Sequence, residues 1–135
     1  MDNIFVDTAA WIALLDRSDS LHQKADQIFN KLSDDNARLV TTEFILLELG
    51  DGFSAAGKRR EAFKFIEDLR KSEILRIIPA TQELVNEGWS LYAERSDKHW
   101  QVTDCISFIV MKKEGIYTAF TSDKHFEQAG FAKLM

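Results

Sequence analysis

Carboxylate side chains occupy four positions at which a folded chain could bring them together. They are Asp7, Glu48, Asp104 and Asp123. Asp7 and Asp123 each follow a short apolar run typical of a buried strand. Asp104 lies where an apolar helix begins, and Glu48 lies within a leucine-rich helix. Because ligands of parallel α/β sheets bind beyond the carboxyl ends of the strands, we expect these acids to converge at that edge.

Packed carboxylates without compensating lysines repel one another and resist ionising together. A divalent cation relieves that repulsion, and Mg²⁺ and Mn²⁺ favour oxygen ligands. Such an ion can bind a phosphate, activate water and stabilise charge on a leaving oxygen, and two ions about 3.5–4 Å apart can divide those tasks. The pattern therefore predicts a metal site suited to phosphate-ester chemistry, with one ion or two.

Each acid also has an ordinary structural explanation. Asp7 is well placed to cap the helix that follows it, and Glu48 could form an ion pair with a distant lysine or arginine. Asp104 and Asp123 could act as caps at the ends of their elements. This interpretation needs a separate cause for every acid, so we favour the metal site.

The composition describes a globular protein and restricts how it could hold a polyanion. Hydrophobic residues make up 45% and charged residues 29% of the 135 residues, and the net charge is −5. An acidic protein needs local cations, a metal ion or a basic partner to hold nucleic acid. The single cysteine excludes an internal disulfide. We find no secretory segment or membrane-spanning run, and we expect one domain over residues 1–135 in the cytoplasm.

Apolar periodicity predicts an alternation of strands and helices. Strands are predicted at 4–6, 38–42 and 74–78, after Gly115, and as a last edge strand at 131–134. Helices are predicted at 9–15, 21–33, 43–55, 57–70, 81–95 and from 102 to Gly115, with a single turn in 124–130. This order predicts a three-layer α/β domain whose central sheet is mostly parallel and flanked by helices.

Several of these segments together resemble the PIN-domain nucleases, and within them the VapC-type ribonuclease toxins of toxin–antitoxin pairs. The segments are Ile4-Phe-Val-Asp-Thr8, Glu48 in its helix, Thr103-Asp-Cys-Ile-Ser-Phe108 and Thr121-Ser-Asp-Lys-His-Phe126. The resemblance implies that the four acids are catalytic and bind Mg²⁺ or Mn²⁺, and that metal-activated water cleaves RNA phosphodiester bonds. It also implies a small antitoxin partner and a homodimer.

Other residues could support such a site. Hydroxyl side chains near the acids are expected to assist them; the candidates are Thr8, Thr103, Thr121 and Ser122. His125 is interpreted as structural because it lies in a turn beside Phe126. Possible RNA contacts are Arg17, Lys98, Lys124 and the cluster Lys58–Arg60, whereas Trp11 and Trp100 could either stack on bases or pack in a core or dimer interface.

Other functions are compatible with parts of this pattern. Haloacid-dehalogenase phosphatases also begin with a strand that ends in aspartate, but they need a second acid two residues later, where this chain has Ala9. A degenerate PIN-like module that only binds RNA or protein fits less well because all four acid positions are filled. A nuclease that processes RNA outside a toxin–antitoxin pair stays an alternative.

Overall fold

A computed structural model describes residues 2–55 and 57–135 of the chain. The strands are β1 (Asn3–Val6), β2 (Arg38–Thr42), β3 (Leu75–Ile78), β4 (Thr118–Phe120) and β5 (Ala132–Lys133). The helices are α1 (Thr8–Leu15), α2 (His22–Asp34), α3 (Glu43–Gly52), α4 (Arg59–Lys71), α5 (Gln82–Glu94), α6 (Val102–Glu114) and α7 (Lys124–Gln128). Helices and strands alternate as predicted.

The five strands form one sheet in the order β3-β2-β1-β4-β5, and every neighbouring pair is parallel. The predicted α/β class with a parallel sheet flanked by helices is therefore confirmed. The chain winds from β1 to β2 and β3 on one side, whereas β4 and β5 lie on the other. The winding direction therefore reverses between the neighbouring strands β1 and β4, which makes their carboxyl ends a topological switch point, the place where ligands bind in open α/β sheets. Asp7 follows β1 there, and its backbone N–H donates to the carbonyl of Phe120 at 3.1 Å.

Aromatic packing fixes the elements around this switch point. The Phe108 ring on α6 lies 5.0 Å from the rings of both Trp100 and Phe126, between centroids. Phe108 and Phe126 are fully buried, and Trp100 is 6% exposed. Trp11 is also a core residue, and its indole N–H donates to Thr41. Packing is thus the correct interpretation of Trp11, and this cluster holds the start of α6 close to α7.

Some boundaries differ from those predicted. Helix α3 ends at Gly52 rather than near Ala55, and α4 begins at Arg59. The leucine-rich α3 is not apolar on its buried faces alone, because Leu47 is 62% exposed. Gly115 ends α6 in the left-handed conformation, with φ of 67°, as glycine commonly does. No helix of the described ranges has the length and apolar character that crossing a bilayer requires.

Candidate active site

The Asp7 side chain lies in the interior at the end of β1 and is 7% exposed. Asp7 occupies the N-cap position of α1, yet its side chain makes no capping hydrogen bond. Its Oδ2 instead accepts a hydrogen bond of 2.8 Å from the hydroxyl of Thr121. The cap explanation therefore accounts for the backbone at Asp7 but not for the direction of its carboxylate.

Burial raises the pKa of Asp7 to about 7, because the charged form loses its hydration. The hydrogen bond from Thr121 opposes this shift, whereas repulsion from Asp104 and Glu48 adds to it. Asp7 is thus a carboxyl group whose charge is costly in this site unless a cation approaches it.

Glu48 is held by two hydroxyl groups from other helices. Oε1 accepts a hydrogen bond from Thr8 at 2.8 Å, and Oε2 accepts one from Thr103 at 3.0 Å. These contacts link α3 to the first residue of α1 and to the first turn of α6. In the described part of the chain none of the ion pairs includes Glu48, so the ion-pair explanation is not supported.

Asp104, Asp123 and His125 lie together where the first turn of α6 faces the start of α7. Asp104 accepts the backbone N–H of Gln101 at 3.2 Å, and Asp123 accepts the backbone N–H of His125 at 2.9 Å, so both acids do act as local caps. His125 Nδ1 lies 3.1 Å from Asp104 Oδ2 and 3.4 Å from Asp123 Oδ1. One ligand atom of each of the three side chains lies within 4.8 Å of the other two.

Burial and the neighbouring carboxylate of Asp123 both shift the pKa of Asp104. Its pKa is raised, first by burial and then by repulsion from Asp123, while hydrogen bonds from Gln101 and His125 act in the opposite direction. When Asp104 is ionised its carboxylate can only accept hydrogen bonds, so in that state His125 Nδ1 is the donor in this contact. His125 therefore screens part of the charge at the site.

Sequence reasoning gave His125 a structural interpretation and so missed its contact with two of the acids. No local pattern in the sequence indicates this contact, because the direction of the His125 ring depends on how the five-residue helix α7 packs against α6. Of the expected hydroxyl residues, Thr8, Thr103 and Thr121 bond to the acids or their backbone, whereas no described hydrogen bond joins Ser122 to them.

The Lys58–Arg60 cluster is not joined to the acids by any described contact. Arg59 Nε donates to the backbone carbonyl of Ser54 at 2.7 Å. Lys58 lines a groove between the end of α1 and α4 whose charged side chains are three basic and three acidic ones: Arg17, Lys58, Lys64, Asp16, Glu61 and Asp68. These charges balance, so the groove has no net positive charge that would attract a phosphate.

The sequence and the fold match proteins of known family. The chain is 27% identical over 133 residues to the 23S rRNA-specific endonuclease VapC20 of Mycobacterium tuberculosis (strains CDC 1551 / Oshkosh and H37Rv), a match that covers 97% of each protein. The crystal structure of VapC20, described as a sarcin-ricin loop cleaving toxin, superposes with a TM-score of 0.85 over 96% of each chain.

More distant structures share the fold. VapBC2 of Rickettsia felis, bound to a DNA fragment from its promoter, gives a TM-score of 0.72 at 14% identity over 97% of this chain and 96% of that one. FitAcB of Neisseria gonorrhoeae gives 0.67 at 19% identity over 96% of this chain and 95% of that one. A sequence model of the PIN domain matches residues 4–132. The chain belongs to the PIN-domain family.

Proposed function

We propose that this PIN domain is a metal-dependent endoribonuclease and the toxin of a toxin–antitoxin pair. The observation that carries the proposal is the cluster of Asp104, Asp123 and His125, next to the buried Asp7, whose pKa is raised in part by repulsion from Asp104 and Glu48. No ion pair in the described ranges joins a lysine or an arginine to any of these acids. Similarity to VapC20, a 23S rRNA-specific endonuclease, supports RNA as the substrate.

The donor set fits a hard divalent cation, for which we propose Mg²⁺ or Mn²⁺. Asp7, Glu48, Asp104 and Asp123 supply carboxylate oxygens, and the raised pKa values of Asp7 and Asp104 reflect charge that a cation would stabilise. When bound, such an ion supplies activation of water and charge stabilisation at a phosphate. His125 lies within reach of the same ion as Asp104 and Asp123, and direct ligation by its imidazole, the alternative to a positioning role, would favour Mn²⁺ relative to Mg²⁺.

The surrounding residues keep the acids in place before any ligand arrives. Thr8 and Thr103 fix both oxygens of Glu48, and Thr121 bonds Asp7 while it accepts the backbone N–H of Asp123. Partners of this kind orient metal ligands and raise their affinity for the ion. Preorganisation lowers the cost of assembling several like charges around a phosphodiester.

The toxin assignment comes from the likeness to VapC20, which is described as a toxin. It implies a small antitoxin that blocks the nuclease, and we also propose a homodimer located in the cytoplasm, where RNA is available. If the gene beside this one encodes a short DNA-binding protein, co-expression should suppress the RNA cleavage and yield a stable complex. Cleavage that persists in the presence of that protein would favour an RNA-processing nuclease outside a toxin–antitoxin pair.

The nuclease proposal is tested with bacterial ribosomes and with purified ribosomal RNA. We expect wild-type protein to produce discrete fragments in Mg²⁺ or Mn²⁺, to lose that activity in EDTA and to regain it when the ion is restored. Asp7→Asn and Asp104→Asn should abolish cleavage without loss of fold by circular dichroism. Asp34→Asn, which changes an exposed acid at the end of α2, is the matched control and should cleave normally. Cleavage that survives both site substitutions and EDTA would refute the proposal.

A further inference from the structure

A cavity of about 540 Å³ lies at the connection between α5 and α6, which leads to Asp104 in the first turn of α6. Its aromatic, basic and amide lining residues are Tyr92, Arg95, Lys98, His99, Trp100 and Gln101. Gln101 joins the cavity to the acid site, because its backbone N–H donates to Asp104 Oδ2 at 3.2 Å. A molecule that fills the cavity would therefore extend towards the place where the phosphodiester is cleaved.

The charge of this cavity is opposite to that of the protein as a whole. The chain has 22 acidic residues and a net charge of −5, yet the described residues that line the cavity include no carboxylate. Arg95 is engaged within the protein, because it donates two hydrogen bonds to Asp97 and lies 4.9 Å from the Trp100 ring centroid. Lys98 and His99 make no side-chain hydrogen bond within the described part of the chain, so both are free to contact an anion.

The exposed aromatic ring of Tyr92 lines the same cavity as Lys98 and His99. Tyr92 is 47% exposed, and its ring packs edge to face against that of Trp89 at 5.5 Å between centroids. Aromatic rings that stack on bases, together with basic groups that contact the backbone, form the usual binding surface for single-stranded nucleic acid. Trp100 forms the floor of the cavity rather than a stacking surface, since it is buried and donates its indole N–H to Gln128.

We propose that this cavity binds one unpaired nucleotide of the RNA, next to the scissile phosphodiester, with its base on Tyr92 and its phosphate on Lys98 and His99. The choice of RNA rests on the ribonuclease function proposed above. A base can stack on a protein ring only when it has left the RNA helix. The cavity therefore selects RNA that is single-stranded, as in a loop, on at least one side of the cleavage site.

Binding can be measured separately from cleavage, by fluorescence anisotropy in Mg²⁺ in an Asp104→Asn background. The probe is a fluorescein-labelled, unstructured RNA of 12 nucleotides, compared with its duplex. Tyr92→Ala should weaken binding of the single strand about tenfold, whereas Tyr92→Phe keeps the ring and should bind normally. Lys98→Gln and His99→Gln should also weaken it, and Lys98→Gln should reduce the slope of log affinity against log salt by about 0.7.

Two substitutions outside the cavity serve as matched controls. Tyr117→Ala removes a ring that is 75% exposed and precedes β4, at the opposite edge of the sheet. Lys71→Gln removes an exposed positive charge at the end of α4. If the cavity variants bind the single strand as tightly as these controls do, or if the duplex binds as well as the single strand, the inference is overturned.

Cleavage assays with Asp104 intact separate this inference from the proposed function. Normal RNA cleavage by Tyr92→Ala and by Lys98→Gln would overturn the nucleotide site and leave the nuclease assignment standing. Absence of cleavage by the wild-type chain, combined with single-strand binding that depends on Tyr92, would refute the nuclease and support the site. Absence of any single-strand binding would refute the site.

Discussion

The hydroxyl of Thr121 donates a hydrogen bond to Asp7 Oδ2 at 2.8 Å, and the same oxygen accepts the backbone N–H of Asp123 at 3.0 Å. Thr121 is fully buried and follows β4, so this one side chain connects the carboxyl ends of β1 and β4. The uncharged Thr121 side chain therefore fixes the positions of Asp7 and Asp123, which follow neighbouring strands, relative to each other.

Removal of that hydroxyl should weaken metal binding. Thr121→Val keeps the shape of the side chain but removes the hydroxyl whose hydrogen bond lowers the pKa of Asp7. We expect the pKa of Asp7 to rise further and the affinity for Mn²⁺ at pH 7 to fall about tenfold, as is usual when a partner of a metal ligand is lost. Isothermal titration calorimetry measures this, and Thr121→Ser should bind normally. Equal affinity for the Val and Ser variants would contradict the expectation.

Stability without metal should depend on pH through Asp7. Because the folded-state pKa of about 7 lies above the ordinary value of 3.8, the folded protein holds a proton that the unfolded chain has released across that interval. Stability therefore falls as the pH rises from 3.8 to 7, and above pH 7 the full penalty is about 4 kcal/mol.

Asp7→Asn removes this titration, so in EDTA it should gain stability over the wild type as the pH is raised from 4 to 8. Urea unfolding at several pH values measures the difference. Addition of Mg²⁺ or Mn²⁺ at pH 8 should stabilise the wild type and leave the variant nearly unchanged. Parallel pH profiles for the two proteins would show that Asp7 is not the group that titrates.

The two hydroxyls on Glu48 should act together. Thr8 and Thr103 each bond a different oxygen of the carboxylate, so either alone leaves it free to rotate. We expect the Thr8→Val, Thr103→Val double variant to lose about 10- to 100-fold in Mn²⁺ affinity and RNA cleavage. The corresponding double serine variant retains both donors and should behave as the wild type. A double valine variant with normal activity would mean that Glu48 needs no such support.

Helix α5 packs closely on α6 at Gly88, and we expect a substitution there to change stability alone. A Cβ at Gly88 would lie 2.4 Å from Cγ1 of Ile106, so Gly88→Ala forces the Ile106 side chain or the helices themselves to shift. Overpacking of this kind lowers the free energy of unfolding by about 1–3 kcal/mol. The better helix propensity of alanine offsets up to about 1 kcal/mol of that loss. Gly50→Ala is the control, because nothing lies within 4 Å of its added Cβ, and it should be neutral or stabilising in urea unfolding.

Much of the fold follows from the sequence because buried parallel strands and amphipathic helices leave strong apolar patterns. Strand β2 has the predicted bounds Arg38–Thr42, and Asp7 and Asp123 follow strands as expected. The rule that ligands meet the carboxyl ends of parallel strands was enough to place both acids at one edge. The strand order itself was not predictable, since it depends on pairing between residues far apart in the chain.

Contacts that cross between elements could not be predicted from the sequence either. The bond from Thr103 to Glu48 spans 55 residues, and no local pattern encodes it. His125 belongs to a helix of five residues whose orientation is set by burial of Phe126 against Phe108. A one-turn helix has almost no periodicity of its own, so the direction of the His125 ring is a tertiary result.

We predict that His125 positions the carboxylates of Asp104 and Asp123 and takes no direct part in metal binding or in the reaction. Loss of its ring in His125→Ala should reduce kcat/KM for RNA about tenfold and raise the Mn²⁺ concentration needed for half-maximal rate. His125→Asn can present an amide N–H close to the Nδ1 position, 3.1 Å from Asp104 Oδ2, and should recover most of the activity. His125→Gln reaches further, towards the Nε2 position, and should recover less. If the Asn and Ala variants are equally impaired in Mn²⁺ but normal in Mg²⁺, His125 is a direct ligand of the softer ion, and the positioning role is wrong.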